Sequence, residues 1–131
     1  MLSKQEHINH WIEQAEDDWK AVNTLFSGHN FLQSLFFVHL VIEKICKAVW
    51  IFSNDANIPP RTHNLVYILS QTSVSVPDDI NEFLLSLNRF QMEGRYPEHI
   101  DKMRKICTPE FTTGIINKAN ETKIWLLGKL Q

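Results

Sequence analysis

The stretch "FLQSLFFVHLVIEKICKAVWIFS", residues 31–53, decides the fold class. Phe31, Leu35, Val38, Ile42, Ile45 and Val49 recur at alternating steps of four and three, the period of one buried face of an α-helix. Leu32, Phe36, Leu40 and Trp50 widen that stripe, so the segment reads as a helix buried on several sides at the centre of a bundle. A membrane span needs about 20 predominantly apolar residues. Gln33, Ser34, His39, Glu43, Lys44 and Lys47 interrupt this segment, which makes it a core helix and not a span.

Working outward, the preceding segment from Lys4 to Phe26 places Trp11, Ala15, Val22 and Leu25 on one helical face, flanked by Ile12, Trp19 and Phe26. Gly28 suits the residue just past that helix, and Asn30 the N-cap of the next. "NDANIPPR", residues 54–61, is a loop, because Pro59 and Pro60 stop any helix. Thr62 or Asn64 can cap a short helix holding Leu65, Val66, Ile68 and Leu69. A further helix is expected from Pro77 or Asp78 to about Phe90, with Ile80, Phe83, Leu84 and Leu87 facing in. His99 to Ile106 reads as a short helix, and Pro109 starts a last one to about Leu130. The expectation is an all-α, up-and-down bundle of four to five helices in one domain.

Composition agrees. The chain has 131 residues with only four Gly and five Pro, too few for many strands joined by tight turns. Its hydrophobic fraction of 44% and charged fraction of 21% are those of a globular domain with a core of its own. A formal charge of −2 argues against coating nucleic acid by bulk electrostatics, so any such contact must come from a local patch. Cys46 and Cys107 lie far apart within apolar helical patterns and read as buried free thiols. "MLSKQEHINHW" lacks the apolar core of a signal peptide, and a cytoplasmic location is expected.

Few polar residues stand out against this scaffold. Asp18 falls inside the apolar stripe of the first helix, so its carboxylate needs a partner: an inter-helix tie to a basic or hydroxyl group, Arg95 among them, or a ligand. His39, Glu43 and Lys47 repeat at i, i+4, i+8 and form a polar ridge on the second helix, with Lys44 beside it. That ridge is either a salt-bridged stripe or a groove in which Lys44 or Lys47 meets an anion. His7 with His10, and His39 with Glu43, have spacings that share a helical face, but a closed metal site needs three or four convergent ligands, and no metal or cofactor is expected.

"GRYPEH", residues 94–99, differs in kind. Arginine grips a phosphate with a fixed bidentate fork and keeps its charge. Histidine titrates near neutrality and can move a proton. Arg95 on a scissile phosphate with His99 as acid or base would constitute a metal-free RNA-cleaving pair. Gly94 permits close approach to the backbone, and Pro97 limits flexibility.

In order along the chain, "WIEQAEDDWKAVNTLF", "FLQSLFFVHLVIEKICKAVW", "THNLVYIL" and "RYPEH" resemble the HEPN domain family over about residues 8–100. The carrying elements are Ala15 and Asp18, then Glu43, Lys44 and Lys47, then Thr62 and His63, and Arg95, Tyr96 and Pro97. The resemblance implies a helical bundle that forms a homodimer. It also implies a minimal nucleotidyltransferase partner in a toxin–antitoxin-like pair, and a nucleotide or RNA as ligand. Some members resemble metal-independent ribonucleases with an Arg-x4–6-His motif. Here three residues separate Arg95 from His99, and the Arg-Tyr-Pro form looks more like members with no established nuclease activity. Asp18, Lys44, Lys47, Arg95 and Tyr96 are therefore read as a nucleotide- or phosphate-binding set. The alternatives are catalysis by Arg95 and His99, and a purely structural interaction subunit. His63 is read as a helix-start cap and packing residue, and Tyr96 as either a ligand contact or a core filler.

Overall fold

Ser3 opens the first helix with a reciprocal cap: its hydroxyl accepts from the Glu6 amide, and the Glu6 carboxylate accepts from the Ser3 amide. The computed structural model describes residues 1–131 and contains six α-helices. They are α1 (Lys4–Ser27), α2 (Phe31–Ser53), α3 (Leu65–Ser70), α4 (Asp78–Glu93), α5 (Pro97–Ile106) and α6 (Pro109–Leu127), with a closing 3-10 turn at Gly128–Leu130. Four are long, and α3 and α5 occupy connections, which is the all-α architecture the periodicity predicts. No helix is long and apolar enough to cross a membrane.

The central helix is α2, which packs against each of the other five. Leu35, Val38, Ile42, Ile45 and Val49 are buried as their spacing requires, and so are Val41, Cys46, Ala48 and Ile51 on other sides. Ala15 and Val22 of α1 meet this helix, and Ile8, one turn before the stripe read from the sequence, packs on Ala48 and Ile51. Ile80, Phe83, Leu84 and Leu87 of α4 close the core from another side, with Leu65, Ile68 and Leu69 of α3. Cys46 and Cys107 are free and buried, and burial pushes both thiols up.

The connections depart from the expected chemistry in several places. His29, not Gly28, takes the left-handed conformation, with φ 63°. Asn30 sits at the N-cap of α2, but its amide turns back to the Gly28 carbonyl and makes no cap bond. At the other end of α2, the Lys4 ammonium lies 3.0 Å from the Ile51 carbonyl, 2.8 Å from that of Asn54 and 2.7 Å from Asn57 Oδ1. A cation belongs there, because the last carbonyls of a helix lack partners and carry the negative end of its dipole. Asn64, not His63, caps α3, its Oδ1 accepting from the Tyr67 amide at 3.1 Å. The Asn88 side chain on α4 joins this cap, donating to Asn64 and accepting from the Leu65 amide.

At its far end α4 runs past Phe90 to Glu93, and α5 begins at Pro97, whose missing N–H costs nothing at the first helical position. Gly94 bridges the two with ordinary helical torsions, so conformation does not demand glycine there. Space does: a Cβ at Gly94 would overlap the ring of Phe36 on α2. The close approach the glycine allows is thus made by Phe36. Gly94→Ala is expected to lower stability by about 1–3 kcal/mol through overpacking, read from the midpoint of urea unfolding.

Candidate functional site

The polar ridge of α2 is covered because α2 is central, and a covered carboxylate needs compensation. Glu43 is 4% exposed. Its Oε2 accepts from Lys47 Nζ at 3.1 Å, and its Oε1 lies 2.8 Å from His63 Nδ1. His39 Nδ1 stands 3.7 Å from the same Oε1, beyond a good hydrogen bond. Lys47 also lies over the Trp11 ring, 5.3 Å from its centroid. His63 therefore ties the loop before α3 to the central helix, a role the sequence reading gave to capping and packing.

Asp18 finds its partner in Lys44, at 2.6 Å and with both side chains largely covered. The tie joins α1 to α2, and the alternative pairing of Asp18 with Arg95 does not occur. Both lysines of the predicted anion-binding set are thereby engaged by carboxylates, Lys44 by Asp18 and Lys47 by Glu43. Neither stands as a free cation in an open groove.

Arg95 is placed differently. It follows Gly94 in the α4–α5 connection, exposed, and lines a cavity of about 280 Å³ with Phe36, His39, Leu40, Gln91 and Gly94. With its amide oxygen turned toward Arg95, Gln91 accepts from the guanidinium. No carboxylate is paired with Arg95, so its charge faces the cavity and solvent. Tyr96 is 54% exposed and does not fill the core. His99 lies in the first turn of α5 with its ring edge-on to Tyr96, centroids 6.4 Å apart, and it does not line the cavity that Arg95 lines. The two residues of the predicted cleaving pair thus flank the same turn without meeting in one cleft.

Sequence reasoning missed Phe36, Gln91 and His39 as neighbours of Arg95. His39 was legible only as part of the ridge. Its side chain is 1% exposed, and burial lowers its pKa, opposed by Glu43, so the imidazole is held neutral. Chemically, the assembly offers one fixed cation at a cavity, with a wholly buried imidazole in the wall behind it.

Two outcomes follow from this electrostatic arrangement. Glu43→Ala removes the partner of a buried lysine and should cost about 3 kcal/mol, with Glu43→Gln costing less, by equilibrium denaturation. For His39, the unfolded chain holds a proton more readily than the folded one. Its contribution is therefore fully present above the ordinary value of 6.5 and is lost as pH falls from there to the lower folded value. Urea unfolding on either side of pH 6.5 should show that loss, and His39→Phe should flatten it.

Comparison with known proteins bears on what this arrangement belongs to. A solved structure described as an archaeal HEPN homologue shares the fold at a TM-score of 0.74 and 23% identity, covering 95% of this chain and 98% of its own. No curated protein matches the chain. The family model of the HEPN domain matches residues 8–128, nearly the whole length and more than the motifs alone span. The chain belongs to the HEPN domain family.

Proposed function

We propose that this protein is a cytoplasmic HEPN module that binds a nucleotide or an RNA phosphate, as a homodimer working with a minimal nucleotidyltransferase partner in a toxin–antitoxin-like pair. Family membership supports the nucleotide- or RNA-related part of this reading. The observation that carries it is the state of Arg95. Lys44 and Lys47 are neutralised by Asp18 and Glu43, whereas the guanidinium of Arg95 meets only the neutral Gln91 amide and opens onto a cavity. A planar, permanently charged fork in that position suits a phosphate. Tyr96, exposed beside it, offers a ring against which a base or sugar can rest. Asp18, Lys44 and Lys47 act in this reading as the ties that hold the helices on which the cavity is built.

The placement of His99 outside the cavity favours holding a phosphate over cutting one. Arg95→Ala should weaken binding of a short single-stranded RNA or a nucleotide by roughly tenfold or more, with Arg95→Lys intermediate, in equilibrium titrations at fixed salt. RNA left intact by the wild-type protein and by His99→Ala alike accords with binding; cleavage abolished by His99→Ala would replace this reading with the ribonuclease one.

A further inference from the structure

The Lys4 ammonium is surrounded by more oxygen than it can use. Around Nζ lie the carbonyls of Ile51 at 3.0 Å, Asn54 at 2.8 Å, Asp55 at 3.3 Å and Ala56 at 3.2 Å, and Asn57 Oδ1 at 2.7 Å. An ammonium has three N–H donors, each aimed along one line, so these five acceptors exceed what it can serve without sharing. Oxygens that converge on one point in excess of the available donors form the surroundings of a spherical ion. The cage closes where α2 ends, and there the last carbonyls of the helix lack partners and its dipole adds negative charge.

The make-up of the cage selects the ion. All its donors are neutral, four backbone carbonyls and one side-chain amide, whereas calcium sites draw on carboxylates. Distances of 2.7 to 3.3 Å also exceed the about 2.3–2.6 Å of calcium–oxygen contacts and the about 2.0–2.1 Å of magnesium. Carbonyl oxygens that replace the hydration shell of a large monovalent ion are the chemistry by which proteins hold potassium.

Contacts other than those of Lys4 keep the cage in shape. The Asn54 side-chain amide donates to the Trp50 carbonyl at 2.9 Å and to the Gln71 carbonyl at 3.0 Å, which ties the loop to α2 and to the end of α3. The Ser53 hydroxyl accepts from the Ser73 amide at 2.9 Å. Ile8, buried against Ala48 and Ile51, holds the start of α1 beside the loop. The bonds to the Asp55 and Ala56 carbonyls lie on the exposed side, so an ion can enter from solvent.

We propose that residues 54–57, with the Ile51 carbonyl, form a site for a large monovalent cation, potassium or ammonium, which the chain fills with its own Lys4. Lys4 is a tethered ion that latches the first turn of α1 to the loop leading to α3. Withdrawal of its charge opens the site to the free ion.

The test is urea unfolding of the full chain, wild type and Lys4→Ala, in potassium, ammonium, lithium and tetramethylammonium chlorides at one ionic strength, so that screening is common to all. An ion bound only by the native state raises the unfolding midpoint as its concentration rises. In tetramethylammonium chloride the Lys4→Ala midpoint is expected below that of the wild type, and it should climb toward it as potassium or ammonium replaces that ion. Lithium, too small to span the cage, should leave it low. The wild type, its site already filled, should differ far less between the salts. Adding Asn57→Ala to Lys4→Ala should abolish the potassium response. Lys4→Gln, neutral and able to donate to two carbonyls, carries the same test if the Ala variant is unfolded in every salt. A folded Lys4 variant with one midpoint in all the salts, a wild type that responds as strongly as the variant, or a potassium response that survives Asn57→Ala overturns the inference. Both Lys4 variants unfolded in every salt also overturns it, since the free ion then fails to replace the ammonium.

Discussion

A buried carboxylate on the central helix organises this molecule. Glu43 lies in the middle of α2, where water cannot stabilise its charge, so the chain around it supplies the compensation. Lys47, one turn on, takes one oxygen, and His63 reaches in from the loop to take the other. That second bond holds the polypeptide just before α3. The next residue, Asn64, caps α3 and is itself gripped by Asn88 of α4. A single carboxylate on one helix is thereby linked through hydrogen bonds to a loop, a short helix and a long helix. The end of that long helix carries Gly94 and Arg95.

The α4–α5 connection then delivers the cation. Gly94 has no side chain, so Phe36 can lie against the connection, and Pro97 starts α5 at a position where its ring fits. Between them Arg95 emerges at the cavity that Leu40 and His39 also line. The two lysines of α2 are tied down by carboxylates, Lys44 by Asp18 and Lys47 by Glu43, and this contrast singles out Arg95. His99, although close in sequence, is carried round the first turn of α5 and away from the cavity. The likeness to the archaeal HEPN homologue is one of fold.

Much of the architecture was legible from spacing. Apolar residues at steps of three and four mark α1, α2 and α4 because a helix in water must cover one face, and α2 stood out because its stripe was too wide for one face alone. Prolines marked the interruptions, since Pro59, Pro60, Pro77, Pro97 and Pro109 cannot continue a helix. Errors gathered at turns. Gly28 is the residue whose type suits a left-handed turn, but the packing of the chain put that conformation on His29. Asn64, one of the two caps its position offered, does cap α3, while His63 engages the distant Glu43 carboxylate, a contact that no local pattern reveals.

For the site the division is sharper. Sequence by itself determined the identity of the central helix, the demand of Asp18 for a partner, the polar ridge through Glu43, and the singular chemistry of Arg95 beside a glycine and a proline. Only the tertiary structure decided which partners answered: Lys44 for Asp18, and Lys47 and His63 for Glu43. The reason is physical. Burial and helical period act along the chain and leave a repeating trace in it. Pairing between charges depends on distances of a few ångströms set by how separate helices cross, and residues of the same type are interchangeable until that crossing exists.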